Sequence, residues 1–212
     1  MGMTNDQRRN RASLSKEFEI RQAKDYIVFP LDVSSTDDAK RYVELLADHV
    51  GLFKVGHELF IRSGPDIVRF INSAGGAGVF LDLKLHDIPA TVSRAMAGIV
   101  DLDIRFATVH CGETPKMLEA AVNGSRGKVH ILGVTVLTSM AVDDLQELGV
   151  TVDPVEQVLR LAKLAKASGL DGVVCSPQEA SLLREEFGER FMLVTPGVRP
   201  KGASMDDQSR VL

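Results

Sequence analysis

From residue 26 onward the chain alternates between two kinds of hydrophobic pattern. Short apolar runs at 26–32, 52–56, 79–85, 104–110, 129–137, 172–175 and 191–195 have the length and the β-branched content of buried strands. Between them apolar residues recur at helical spacing. Tyr42, Val43, Leu45, Leu46 and Val50 follow Thr36, and Ile67, Val68, Phe70 and Ile71 follow Gly64-Pro65. Val158, Leu159, Leu161, Leu164 and Ala165 follow Pro154. Prolines at 65, 89, 115 and 154 suit the first turn of a helix, where the missing N–H leaves no bond unmade. Shorter helical pieces are predicted at 143–148 and 177–187. Neither a repeat nor a linker divides the series. Seven strands, most of them followed by a helix, make the pattern of a parallel (β/α)8 barrel that stops one strand short, in one domain over 25–212. Residues 1–24 are polar, rich in Arg, Asn, Gln and Ser, and are predicted to be a flexible extension or a short capping helix.

One strand stands out. In Val79-Phe80-Leu81-Asp82-Leu83-Lys84-Leu85 the side chains alternate, so Leu81, Leu83 and Leu85 take one face while Phe80, Asp82 and Lys84 take the other. A carboxylate and an ammonium thus emerge side by side near the carboxyl end of a strand, where parallel α/β folds bind ligands. Buried Asp and Lys are rare and costly to desolvate, which favours a site over a structural ion pair. Asp87 then precedes a Pro-led helix and reads equally as a helix cap. Further candidates are Asp32, the lone acid ending the first run, and Lys54 in the second. Thr138 and Ser139, two hydroxyls after the fifth run, belong with them. The segment 196–204, rich in Gly and Pro with Arg199 and Lys201, suits a loop closing over an anion. Gly75, Gly76 and Gly78 read as a turn, because no helix follows to complete a dinucleotide fingerprint.

Composition narrows the function classes. With 212 residues, 44% hydrophobic and 25% charged, the chain can build one substantial core. A net charge of −4, with no Lys/Arg cluster interleaved with aromatics, disfavours nucleic acid as a partner. No apolar run approaches the roughly 20 residues that span a bilayer, and the amino terminus lacks the apolar centre of a signal peptide; a cytoplasmic protein is expected. Cys111 and Cys175 each end a predicted strand without metal-ligand spacing and are expected to be buried free thiols.

These residues resemble the bacterial orotidine 5'-phosphate decarboxylases. Asp82-x-Lys84-x-x-Asp87, followed by Ile88-Pro89 and Thr91, is similar to that family's D-x-K-x-x-D motif. Leu137-Thr138-Ser139-Met140 and Thr195-Pro196-Gly197-Val198-Arg199-Pro200 match two further stretches in the same order. The resemblance runs from about Tyr26 to Leu212. It implies decarboxylation of orotidine 5'-phosphate to uridine 5'-phosphate, the last step of de novo pyrimidine synthesis, with neither metal nor organic cofactor. Carried over, Lys84 donates the proton to carbon 6, Asp82 lies beside the departing carboxylate, and Lys54 completes a charge network that ends in Asp87. Asp32 binds ribose hydroxyls. Asp87 and Thr91 reach ribose across a homodimer interface, Thr138 and Ser139 face the pyrimidine, and Arg199 and Gln208 lie in the loop closing on the phosphate. Loss of carbon dioxide leaves electrons in an in-plane ring orbital that no carbonyl delocalises, so a preorganised cation is the chemistry required.

The family pattern continues past Leu212 with a helix, an eighth strand and a Gly-Arg-Pro segment, so a fragment of a longer product is expected. Two rivals stand beside this expectation. A sister decarboxylase acting on 3-keto-L-gulonate 6-phosphate shares the D-x-K-x-x-D strand but uses Mg²⁺ through a glutamate where this chain has Lys54, and a lysine is a poor ligand for a hard cation. A catalytically silent nucleotide-binding barrel is the other.

Overall fold

The structure, a computed structural model, describes Ile20 and residues 22–198. Seven strands form one sheet: β1 (Val28–Pro30), β2 (Leu52–Val55), β3 (Gly78–Leu85), β4 (Phe106–His110), β5 (His130–Val134), β6 (Gly172–Val174) and β7 (Met192–Val194). They lie in chain order, and every neighbouring pair is parallel. Parallel neighbours need a crossover each time. It is supplied by α1 (Thr36–Leu46), α2 (His57–Ser63), α3 (Asp66–Ala74), α4 (Pro89–Val100), α5 (Pro115–Ser125), α6 (Val142–Glu147), α7 (Pro154–Ala167) and α8 (Ala180–Phe187). Among the described residues β1 and β7 are the sheet's edges, and no eighth strand follows β7.

The helix starts follow local chemistry. Pro89, Pro115 and Pro154 each occupy a first turn, and Asp153 Oδ1 caps α7 by accepting from the amides of Val155 at 2.8 Å and Glu156 at 3.0 Å. Ser35 Oγ caps α1 by accepting from the Asp38 amide.

Alternation along the strands sorts the core into two parts. Phe53, Val55, Val79, Leu81, Ala107, Val109, Ile131 and Val173 face the helices and join the larger cluster with Ile67, Met96, Leu118 and Val158. Residues of the opposite parity, Leu52, Phe80, Phe106 and Leu132, form a separate smaller cluster with the strand residues Val28, Val174, Met192 and Val194 packed against it. Phe80 and Phe106 pack edge to face at 6.2 Å between ring centroids. That residues of β1 and β7 join one inner cluster shows the sheet curled on itself as a barrel wall.

The elements depart from the sequence pattern in three places. The run 26–32 shrinks to a three-residue strand: Tyr26 ends a 3-10 turn (Ala23–Tyr26) and is 74% exposed, because among the described residues this end of the edge strand is not covered. The run 129–137 is strand only to Val134, and its remainder turns over the barrel mouth. Helix α2 is absent from the pattern, since it buries a single residue, Leu59, and leaves Ile61 in solvent. Most of the extension at 1–24 lies outside the described residues.

Candidate active site

Strand β3 carries the site, and its geometry is irregular where the charges stand. Leu81 pairs with Ala107 and Leu85 with Val109, so four steps along β3 are matched by two along β4. The surplus forms a bulge, and within it Lys84 adopts the left-handed region at φ 46°. A lysine there costs about 1–2 kcal/mol, because its Cβ crowds the carbonyl that follows. Bulges of this kind re-aim side chains next to sites.

Asp82 and Lys84 meet as an ion pair, Nζ to Oδ2 at 2.8 Å, with the Asp82 side chain 13% and the Lys84 side chain 30% exposed. The second carboxylate oxygen accepts from Thr108 Oγ1 at 2.9 Å. Both oxygens of Asp82 are therefore satisfied, which a nearly buried charge requires. Thr108, fully buried on β4, also accepts the Lys84 amide at 2.8 Å. The residue after Asp82 is tied as well, since His57 Nε2 lies 2.9 Å from the Leu83 carbonyl.

Lys54 on β2 pairs with Asp32 just beyond β1, Nζ to Oδ1 at 2.7 Å; Asp32 is 65% exposed, so solvent screens this pair far more than the first. All four charges line one cavity of about 640 Å³. Phe80 and the valines of β1, β5, β6 and β7 make its floor, and Thr138 and Ser139 stand on one side with Thr195, Pro196, Gly197 and Val198 on another. An apolar bowl with a few convergent charges is the usual form of a small-molecule site.

Of the residues singled out in the sequence, Asp32, Lys54, Asp82, Lys84, Thr138 and Ser139 are thus brought together. Asp87 and Thr91 are not. The Asp87 carboxylate accepts the Ile88 amide at 2.6 Å and stands exposed, outside the cavity lining, at the start of α4. Within the protomer the expected chain Lys54, Asp82, Lys84, Asp87 is instead two ion pairs, Lys54 with Asp32 and Lys84 with Asp82. Arg199 and Gln208 lie outside the described residues.

Two groups near the site escaped the sequence pattern. Thr108 shares its parity with Phe106 and His110, so the alternation of β4 already turned it inward, but a threonine in a strand draws no attention. The second group is at the mouth. His86 stacks on His110 with centroids 5.3 Å apart, and His86 Nε2 lies 2.8 Å from Glu113 Oε1. Burial pushes the His110 imidazole below its ordinary range, with help from the positive charges of His86 and Lys84. Its Nδ1 accepts the Gly112 amide at 3.1 Å, as the neutral ring can. Cys111 and Cys175 are buried free thiols, and burial pushes both up to about 12, so neither is a thiolate at neutral pH. Among the described residues no three His, Cys, Asp or Glu side chains gather as a metal site.

The sequence model described as the orotidine 5'-phosphate decarboxylase / HUMPS family matches residues 25–212. A protein of Desulfosudis oleivorans named orotidine 5'-phosphate decarboxylase is 51% identical over 203 residues, which take in 92% of this chain and 82% of that one. Its namesake in Citrifermentans bemidjiense is 44% identical over 193 residues, covering 88% and 80%. The crystal structure of orotidine 5'-phosphate decarboxylase from Lactobacillus acidophilus superposes with a TM-score of 0.77 at 39% identity, over 82% of this chain and 81% of that one.

Proposed function

The chain belongs to the orotidine 5'-phosphate decarboxylase / HUMPS family, and on that footing we propose that it converts orotidine 5'-phosphate to uridine 5'-phosphate in pyrimidine biosynthesis. It is a carboxy-lyase. The observation that carries the chemistry is the Asp82–Lys84 pair at 2.8 Å on the wall of the cavity, its carboxylate held on both oxygens.

The bond from carbon 6 to the carboxyl carbon breaks, carbon dioxide leaves, and the electron pair stays on carbon 6. Lys84 Nζ stabilises that pair electrostatically and then gives it a proton, which the amine regains from water. Asp82 lies beside the departing carboxylate and keeps the ammonium in place. Because both are fixed before substrate arrives, little reorganisation is needed as charge develops. Lys54 completes the charge network about the substrate, Asp32 holds the ribose hydroxyls, the hydroxyls of Thr138 and Ser139 face the pyrimidine, and Arg199 and Gln208 belong to the loop that closes on the phosphate. Phosphate binding, remote from carbon 6, supplies energy that closure of the loop turns to use in the transition state.

The proposal includes a homodimer in which Asp87 and Thr91 reach the partner's ribose. In support, 86–90 are all exposed, and the apolar Ile88 among them is 66% exposed. It also takes 25–212 as one domain, 1–24 as an extension, and the cytoplasm as the location. No described helix is long and apolar enough to cross a membrane. The reaction needs no metal, in keeping with Lys54 already ion-paired to Asp32. The test follows the absorbance of orotidine 5'-phosphate with the purified protein, with and without EDTA. Turnover untouched by EDTA is expected. Binding without turnover favours a silent barrel, and loss of activity restored by Mg²⁺ overturns the metal-free scheme.

A further inference from the structure

We propose that Thr108 is a positioning residue for this decarboxylation: a single hydroxyl fixes both the carboxylate of Asp82 and the left-handed backbone of Lys84, and so sets where the Lys84 ammonium stands. The inference rests on the function proposed above.

The hydrogen-bond directions leave no ambiguity. An amide N–H can only donate and a carboxylate can only accept, so the hydroxyl takes the Lys84 N–H on a lone pair, at 2.8 Å, and spends its one proton on Asp82 Oδ1, at 2.9 Å. Thr108 is thereby committed on both sides. It is fully buried, and its branched Cβ restricts χ1, so the hydroxyl has little freedom to follow a wandering partner. Its own backbone is anchored in the middle of β4, in register with Leu132 of β5.

Its location explains why such a residue is needed. Thr108 is the β4 residue between Ala107, which pairs with Leu81, and Val109, which pairs with Leu85; it stands opposite the bulge. A bulge takes backbone groups out of the ladder, and a buried N–H without an acceptor is costly. Thr108 gives the Lys84 amide that acceptor from a side chain. Remove the hydroxyl and two groups lose a partner together, the Lys84 amide and Asp82 Oδ1, while Lys84 keeps an unfavourable φ of 46° with less to hold it there. The ammonium would then stand in a broader set of positions. Substrate contacts made by Asp32, Thr138 and Ser139 do not run through Thr108, so binding should suffer far less than the chemical step.

The experiment measures kcat and KM for orotidine 5'-phosphate in wild type, Thr108→Val and Thr108→Ser, with a thermal melt of each. Thr108→Val keeps the shape and loses the hydroxyl. It is expected to lower kcat by about 100-fold, the scale of a misplacement near 1 Å, with KM within about threefold. Thr108→Ser is expected to stay within about threefold of wild-type kcat, since it keeps the donor and the acceptor. If the valine variant does not fold, Thr108→Ala against Thr108→Ser makes the same comparison, with the alanine protein expected to lose kcat and the serine protein to keep it. An active wild type with a valine variant of near-normal kcat overturns the proposal, as does a serine variant that loses as much as the valine or alanine one. A wild type without turnover overturns the reaction assignment itself, and this inference with it.

Discussion

Lys84 meets several demands together: it bears a charge on the cavity wall, makes an ion pair at 2.8 Å, and holds a backbone conformation that few non-glycine residues adopt. Such strain persists only where the surroundings enforce it. Lys84→Ala should fold, because alanine meets the same backbone demand and Thr108 still accepts the amide. Its turnover of orotidine 5'-phosphate should fall by at least about a thousandfold, within the range a lost general acid accounts for. A variant with kcat near that of wild type and an unchanged melting temperature would remove Lys84 from the chemistry. At the mouth, His110 makes a separate prediction. Its folded pKa lies below the ordinary value near 6.5, through burial first and then the charges of His86 and Lys84, against the opposing pull of Glu113. The unfolded chain therefore takes up a proton at higher pH than the folded one does. The stability that His110 contributes is fully present above about pH 6.5 and is lost as pH falls through its folded value, at up to about 1.4 kcal/mol per pH unit. Urea unfolding at pH 7.5 and 5.5 should show wild type losing more stability on acidification than His110→Gln. Equal losses would remove the effect.

At the level of elements, the helices stand at distances fixed by small residues. Gly124 of α5 lies directly against the Ser93 carbonyl of α4, and a Cβ there would collide with that oxygen and press on Met96. Two effects oppose each other in Gly124→Ala. Alanine favours a helix interior by about 1 kcal/mol, whereas overpacking a tight contact costs about 1–3 kcal/mol. The collision is with backbone, which cannot rotate away, so the second effect should win and the urea midpoint should fall. A midpoint equal to or above wild type would show that α5 can shift outward freely. Strand β3 follows the same logic from the other side. Its regular half, at Val79 to Leu81, is pinned between β2 and β4, and its irregular half is free to present Asp82 and Lys84 because Thr108 and His57 tie the loosened backbone.

For the whole molecule, oligomeric state is the open quantity with the clearest consequence. In the segment 86–90 every residue is exposed, and the apolar Ile88 stands 66% in solvent beside the motif. Light scattering should report a particle of twice the 23.0 kDa chain mass. Ile88→Asp should shift it toward the monomer and lower activity with it, because Asp87 and Thr91 would then lose the neighbouring ribose. A monomer that turns over at the wild-type rate would detach Asp87 and Thr91 from the site.

The alternation of apolar runs with 3.6-residue periodicity was sufficient to read the order of the strands and of every helix but α2, the parallel sheet and the inward parity of Phe80, Asp82 and Lys84, because burial against one face or one stripe imposes those periods locally. The motifs around Lys84, Ser139 and Gly197 carried the family in the same way, residue by residue. What the sequence withheld depends on contacts between elements far apart in the chain. No local signal marks the bulge that swings Lys84 into the left-handed region, since it arises from a mismatch between β3 and β4. Nor does one mark the pairing of Lys54 with Asp32 rather than Asp82: β2 lies between β1 and β3, and both oxygens of Asp82 are already engaged by Lys84 and Thr108. Thr108 is the plainest case: the chain makes it an ordinary strand threonine, and only the placement of β4 beside the irregular half of β3 brings its hydroxyl to both the Asp82 carboxylate and the Lys84 amide.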